Sequence, residues 1–348
     1  MRIESIGIAA AELWLPPGRE LATTAVAEGR LRAREAADLG HPEVPDAGGE
    51  APPELAVAAA AGALKQAAAD PADLAVVCHA SMYYQGHDLW SPAHYVAAQL
   101  GAKGAIPVGV QQVCNGGVAG IELTATRLAA THAAEPDRAH TGLVTTADRF
   151  TAPGFDRWAA DYGVVYGDGA TAVLLRAPST PADALRVRSV VTVAAPELEA
   201  MHRGADPFAP AARMRRERVD MRATKRAYLA DHGNEAFLAA NRRAIAEIVA
   251  TALAEAGLGP DDPRLTCAVL PRFGRKALDT LWRPSLAGCL RTELVDFGRT
   301  TGHLGAGDAL AGVAELAAQR LLEPGEAALV FSAGAGFTWS CLAVEAPE

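Results

Sequence analysis

Apolar and polar positions alternate in blocks along the whole chain. Short runs rich in Val, Ile, Leu and Ala, bounded by Gly, Pro or Asp, are followed by longer stretches with helical spacing. Strand-length apolar runs separated by amphipathic helices predict an α/β fold in which a sheet is covered by helices. The pattern also repeats once. The strand-like opening Arg2-Ile-Glu-Ser-Ile-Gly-Ile-Ala-Ala-Ala-Glu-Leu13 reads like Arg186-Val-Arg-Ser-Val-Val-Thr-Val-Ala-Ala-Pro-Glu-Leu198. Ala63-Leu64, Asp70-Pro71 and Val77-Cys78 return as Ala252-Leu253, Gly259-Pro260 and Thr266-Cys267, with one offset separating Pro71 from Pro260 and Cys78 from Cys267. Glu122 to Leu128 matches Glu315 to Leu321, and Gly167 to Leu175 matches Gly334 to Leu342. A duplication dictates architecture, so the expected organisation is two homologous α/β units, residues 1–178 and 179–348, fused near Pro178 to Ala184.

Three segments stand apart. Ala36 to Pro53, with its Pro, Gly and Asp, reads as a mobile excursion, and Arg203 to Ala240 has no counterpart in the first half. Ala327 to Val344 carries no charge over nearly the length of a membrane span. Its Ser332, Gly334, Gly336, Thr338 and Ser340 instead suggest two buried strands around a Gly-Ala-Gly turn.

Composition narrows the class. Of 348 residues 50% are hydrophobic and 21% charged, the balance of a globular protein with a sizeable core. The formal charge of −9 argues against a nucleic-acid binder, whose affinity comes from neutralising phosphates. Five scattered cysteines without a CxxC pair, and histidines without metal spacing, give neither a zinc site nor a disulfide framework. A cytoplasmic protein is expected, since Glu4 and Glu12 flank the first apolar run and exclude a signal peptide there.

The chemistry sits where the two halves diverge. Eight residues before Glu122 stands Cys114, in Gln111-Gln-Val-Cys-Asn-Gly-Gly-Val-Ala-Gly120; twelve before Glu315 stands His303, in Thr301-Gly-His-Leu-Gly-Ala-Gly-Asp308. Both lead into helices, and a pseudo-twofold relation between the halves brings the two helix starts together. A helix N-terminus favours a thiolate and offers free N–H groups to an oxyanion. The glycines after Cys114 suit a sharp turn and close substrate approach. The bland readings are a buried filler cysteine, a loop-closing histidine, and Asp308 as an N-cap. Asp168 reads as part of an Asp-Gly turn.

Over essentially its whole length the chain resembles the thiolase-fold ketosynthases of the type III class. The resemblance rests on Cys114-Asn-Gly-Gly, Tyr166-Gly-Asp-Gly-Ala170, Gly302-His303 and the ending Gly334-Ala-Gly-Phe-Thr-Trp339. It implies two βαβαβαββ halves packed as a five-layered αβαβα structure, and an oxyanion hole from the backbone N–H groups of Cys114 and Ala335. Two departures matter. The family's catalytic histidine segment reads Pro271-Arg272-Phe273-Gly274-Arg275, and its catalytic asparagine, which follows a glycine, is here His303. The set becomes Cys114, His303 and Asp308, similar to a divergent branch of type III-like acyltransferases from antibiotic pathways that includes a malonyltransferase and starter-unit proteins.

Decarboxylative condensation needs neutral donors that hold a thioester enolate, whereas a Cys-His-Asp set suits plain acyl transfer. The resemblance therefore implies an acyltransferase that carries an acyl group from CoA or an acyl carrier protein through Cys114 to a heteroatom acceptor. Sugar hydroxyl, amine and carrier thiol all qualify, in polyketide or antibiotic biosynthesis, and a glycosylated polyketide is among the expected acceptors. The alternatives are a decarboxylating starter-unit ketosynthase and a non-catalytic partner of a polyketide synthase. No bound cofactor, metal, nucleic acid or membrane is expected, and the family implies a homodimer. Tyr83, Tyr84, Asp88 and Trp90 are expected in the acyl or acceptor pocket, Trp90 reaching a neighbour's site; an ordinary aromatic core is the alternative. Arg215, Arg216 and Arg222 lie in the one basic run, and with Arg272, Arg275 and Lys276 they are candidates for docking the donor, against the reading of a solvated helix face. Arg272 is also a candidate to hold an acyl carboxylate.

Overall fold

The computed structural model describes every residue except Met1, Glu4 and Ala212; Glu4, one of the two carboxylates flanking the first apolar run, thus lies outside the described residues. The apolar runs form strands β1 (Gly7–Trp14), β2 (Gly18–Leu21), β3 (Glu43–Asp46), β4 (Leu74–Ala80), β5 (Ile106–Val110), β6 (His140–Asp148), β7 (Gly169–Ala177), β8 (Leu185–Ala194), β9 (Leu265–Val269), β10 (Glu293–Val295), β11 (Ala327–Gly334) and β12 (Thr338–Glu345). Ten of them make one sheet in the order β10-β9-β11-β12-β8-β1-β7-β6-β4-β5.

Read outward from the β1–β8 seam, both sides run alike. Two antiparallel pairings come first (β1–β7 and β7–β6; β8–β12 and β12–β11), then two parallel ones (β6–β4 and β4–β5; β11–β9 and β9–β10). The seam itself is short, pairing Gly7 with Arg186 and Ile8 with Leu185. The chain crosses it between Ala177 and Leu185.

Layering follows from which faces are apolar. Helices Gly116–Ala134 and Asp308–Gln319 fill the space between the two halves of the sheet. Their Val118, Ile121, Leu310 and Val313 share one buried cluster with Ile8, Val144 and Val330. Helices Pro52–Gln66 and Pro92–Leu100 cover the outer face of the first half, and Glu235–Ala256 that of the second. The result is helix, sheet, helix, sheet, helix, each interface made of small and branched apolar side chains that need no hydrogen-bond partner.

Two expectations change. Ala36 to Pro53 is not a free excursion: β3 pairs with β2, and Pro45 O accepts bonds from Asp168 N at 3.1 Å and Arg157 Nη1 at 2.6 Å. Asp168 forms no Asp-Gly turn. Its buried carboxylate accepts from Phe150 N (2.8 Å), Ala47 N (3.0 Å) and Arg157 Nη2 (3.2 Å), anchoring that same segment. The uncharged C-terminal stretch does form the hairpin β11–β12 around Ala335 to Phe337, and no helix among the described residues is long and apolar enough to cross a membrane.

Candidate active site

Cys114 lies in the single turn Val113–Asn115 that enters helix Gly116–Ala134. The strained residue of this turn is Val113, at φ 49°, a conformation that β-branched side chains avoid. Gly116 and Gly117 do not supply a left-handed turn. A Cβ on Gly117 would stand 2.5 Å from Ala306 O and 2.8 Å from Leu310 Cδ1, so these glycines let the two central helix starts touch. That contact is what brings the halves' divergent residues into one site.

On the other side, Gly302 (φ 61°) and Gly305 (φ 63°) flank His303-Leu304 and fold the backbone back on itself. His303 N donates to Val165 O at 2.8 Å, and its carbonyl accepts from Gly167 N at 3.0 Å, which pins the histidine to the Tyr166 segment. Its ring meets Tyr166 and Phe273 edge to face at 5.3 and 5.7 Å between centroids. His303 Nδ1 lies 2.6 Å from Asp308 Oδ2, while buried Nε2 makes no close hydrogen bond among the described residues and has Cys114 as its neighbour.

Asp308 is not an N-cap. Gly307 occupies that position, and the Asp308 carboxylate turns back to accept from His303, Leu304 N (2.8 Å) and Arg272 N (3.0 Å). Burial opposes charge on both partners, yet the ion pair prevails. Against desolvation, Asp308 and Cys114 together hold the His303 imidazole well above its ordinary pKa, and His303 with Arg272 holds Asp308 below the usual carboxylate value.

Cys114, His303 and Ala335 line one cavity of about 250 Å³, whose walls include Met201, Phe237, Leu281, Trp282, Phe337 and Trp339. A Cβ on Gly334 would lie 2.9 Å from Asn115 N, so the β11–β12 turn abuts the cysteine turn. The backbone N–H groups of Cys114 and Ala335 thus belong to adjoining turns of one cavity. A larger cleft of about 800 Å³, lined by Arg30, Arg157, Arg216 and Arg218 among others, contains neither Cys114 nor His303.

Other expected positions fall elsewhere. Tyr83, Tyr84, Asp88 and Trp90 do not line the Cys114 cavity of this chain; Met82 is the residue of that loop which does. Tyr83 packs on Phe150 and Phe155 and bonds Arg213, while Tyr84, Asp88 and Trp90 are exposed. Arg272 does not face substrate. Its guanidinium is buried and directed to Glu315, Thr301 Oγ1 (2.6 Å) and Phe297 O (3.1 Å), so it neither docks a donor nor holds an acyl carboxylate. Arg222 is likewise an internal clamp, on Asp161 O (2.7 Å), Trp158 O (3.1 Å) and Glu35 (3.3 Å). Arg215, Arg216, Arg275 and Lys276 do reach the surface, Arg216 paired with Asp206 and Lys276 with Asp38.

Two further polar groups stand by the site: Asp148 and Asp161 carry no expectation from the sequence, and Lys225 is expected only as one of the basic run that could dock the donor. Asp148, at the end of β6, accepts from Met82 N (3.0 Å), Tyr83 N (2.9 Å) and Ala306 N (2.9 Å), tying both halves together beside the site. Burial lifts its pKa to about 7. Asp161 and Lys225 form an ion pair in the cavity wall (2.5 Å). A carboxylate at the end of an apolar strand and a lysine inside a basic run carry no sequence signal of these roles.

Comparison with known proteins fits this geometry. The family model for 3-oxoacyl-[acyl-carrier-protein] synthase III matches residues 108–191, and the model for its C-terminal part matches 253–346. Among solved structures, the acyltransferase ChlB3 is 31% identical, with a TM-score of 0.88 over 99% of this chain and 98% of that one. 3-Oxoacyl-(acyl carrier protein) synthase III, FabH, from Pseudomonas aeruginosa PAO1 is 20% identical, with a TM-score of 0.77 over 99% of both chains. OleA from Xanthomonas campestris, with lauric acid and lauroyl-CoA bound, is 15% identical, with a TM-score of 0.74 over 99% of both. Comparison with curated protein sequences finds no match.

Proposed function

Since the chain belongs to the 3-oxoacyl-[acyl-carrier-protein] synthase III family and is an enzyme of the acyltransferase or ketosynthase type, we propose that it transfers an acyl group from a CoA or carrier-protein thioester, through Cys114, to a heteroatom acceptor. The reading rests on one observation: His303 is oriented by Asp308 at Nδ1 and lines, with Cys114, the cavity in which Nε2 has no close partner among the described residues.

The half-reactions then balance. Cys114, as thiolate, attacks the donor's thioester carbon; the oxyanion is held by the N–H groups of Cys114 and Ala335. The C–S bond to the donor breaks, and the departing thiolate takes the Nε2 proton of His303. Acylation removes the negative charge of Cys114, one of the two that favour the imidazolium, so the ring is left neutral and able to accept a proton. The acceptor loses its proton to Nε2 as its heteroatom attacks. Collapse of the tetrahedral intermediate releases the thiolate and restores the charge pair. A homodimer in polyketide or antibiotic biosynthesis, with Trp90 lining the neighbour's acyl pocket and Arg215, Arg216, Arg275 and Lys276 meeting the donor, completes the proposal.

Carbon–carbon bond formation is the second reading, favoured by the family model's own description. With Arg272 turned to Glu315, His303 is the sole side-chain donor of the Arg272–His303 pair left to an enolate, and this supports transfer over condensation. Intact-protein mass spectrometry with carboxyl-labelled malonyl thioester separates the readings. An adduct on wild type, absent from Cys114→Ala, whose label passes into product, is expected. Label lost as carbon dioxide in step with product means condensation, and no adduct at all means an idle partner.

A further inference from the structure

From the surface inward, the cavity wall runs through Tyr162 (43% exposed), Lys225 (side chain 16% exposed), buried Asp161 and buried His303. Tyr166 bridges the last two: its hydroxyl donates to Asp161 Oδ2 at 3.2 Å and its ring packs against His303. His202 stands in the same wall, its ring edge to face with Phe337 at 5.0 Å and its Nδ1 buried without a partner among the described residues. The rest of the lining is largely aromatic or aliphatic, so this polar patch is an exception that the mechanism above does not use.

Its hydrogen-bonding capacity is mixed. The Lys225 ammonium has three protons, of which one goes to Asp161 Oδ1. Asp161 Oδ1 also accepts from Tyr162 N (2.7 Å), while Oδ2 accepts the Tyr166 hydroxyl and, among the described residues, no second donor. Spare donors and a spare acceptor side by side suit a group that is donor and acceptor at once: an alcohol of the acceptor, or an amide of the donor's arm, which the test below separates. A carboxylate, acceptor only, would be set against Asp161, and a thioether or alkyl chain would leave the patch unpaired.

The geometry points to an acceptor subsite at Asp161, Lys225 and His202 that binds a second hydroxyl of a polyhydroxylated acceptor while another of its hydroxyls is placed at His303 for acylation. This rests on the heteroatom-transfer reading and narrows it to polyol acceptors such as glycosides. Burial holds His202 down to about 4, so its ring is neutral at pH 7 and supplies a further hydrogen bond without charge.

The test uses acyl-Cys114 formed beforehand from butyryl-CoA, with its discharge followed by intact mass in methyl glucoside or in cyclohexanol. Wild type should discharge to the glucoside roughly 10- to 100-fold faster per hydroxyl, the worth of one bond to a charged group. In the double variant Asp161→Asn/Lys225→Met, which leaves no lone buried charge, that ratio should fall toward one; taken on a single preparation, the ratio is indifferent to the fraction folded. A wild-type ratio near one overturns the subsite. So does a variant defect confined to acylation by butyryl-CoA, which would assign the patch to the donor's arm. An adduct that no alcohol discharges overturns the subsite alone; one that resists alcohols, amines and thiols alike overturns the transfer reading, and the subsite with it.

Discussion

Replacing Asp308 with asparagine keeps the shape of the side chain and removes its charge. Asp308 Oδ2 accepts from both His303 Nδ1 and Arg272 N, and Oδ1 from Leu304 N. An amide cannot serve all three. With its oxygen toward His303, the NH₂ group faces the Leu304 N–H. With its nitrogen there, it faces the Arg272 N–H and donates to Nδ1, forcing the proton of His303 onto Nε2, where the acceptor's proton must go. Even the better orientation exchanges a charge-assisted bond to the developing imidazolium for a neutral one. A bond of that class contributes about 1.5–3 kcal/mol, so discharge of acyl-Cys114 should slow by at least tenfold and up to roughly 150-fold. One orphaned backbone N–H should cost about 1–3 kcal/mol of stability. The imidazole's affinity for a proton also falls without the carboxylate, so the rising limb of the discharge rate against pH should move to lower pH, and the deficit should be greatest on the alkaline plateau. Rapid-quench sampling of pre-acylated enzyme across pH, read by intact mass, measures both. Discharge at the wild-type rate, or a limb that stays in place, would refute the role given to Asp308.

Two further outcomes follow from the surrounding anchors. Arg272→Met breaks the ion pair with Glu315, whose side chain keeps 20% exposure; chemical denaturation should show a loss of about 3 kcal/mol, the low end for a broken buried pair, while the preference between malonyl and butyryl thioesters in acylating Cys114 stays as in wild type. Asp148 has a folded pKa of about 7 against an ordinary 3.8, so the stability gained from its protonated form is complete below about pH 4 and disappears as pH rises through 7. Asp148→Asn should therefore flatten the stability–pH curve across that window, with about 1–3 kcal/mol lost to an orphaned N–H, as a denaturant series at several pH values would record.

What the sequence disclosed and what it withheld have physical causes. The duplication was legible because matching strands and helices carry matching apolar patterns, and it located Cys114 and His303 because helix starts are marked by local signals such as Asn-Gly-Gly and Gly-Ala-Gly. The choice between cap and triad member for Asp308 was not legible: it depends on whether the carboxylate turns into its own helix or back toward Leu304 and Arg272. The purpose of Gly116 and Gly117 was misread for a similar reason. Their need for hydrogen in place of a side chain comes from Ala306 and Leu310, in the other half of the chain, while the strain of the turn fell on Val113. Asp148, Asp161 and Lys225 act through partners distant in sequence, and no spacing rule reaches them.

Arg272 shows how the two departures from the type III pattern belong together. A guanidinium at the position of a neutral donor would place a cation beside the acyl group if it faced the cavity. It faces away, held by Glu315, Thr301 and Phe297 O, and its backbone N–H is delivered to Asp308. Thr301 lies two residues before His303, and Glu315 lies in the helix that Asp308 begins. One side chain thus fastens the loop that carries the histidine to the helix that carries the carboxylate. On the proposed reading, the arginine that removes one neutral enolate donor also steadies the loop and the helix that present the other departure, His303, and its partner Asp308. Restoring histidine at 272 should then weaken the triad's support before it rebuilds a pair of enolate donors, because the Glu315 and Thr301 contacts would go with the guanidinium.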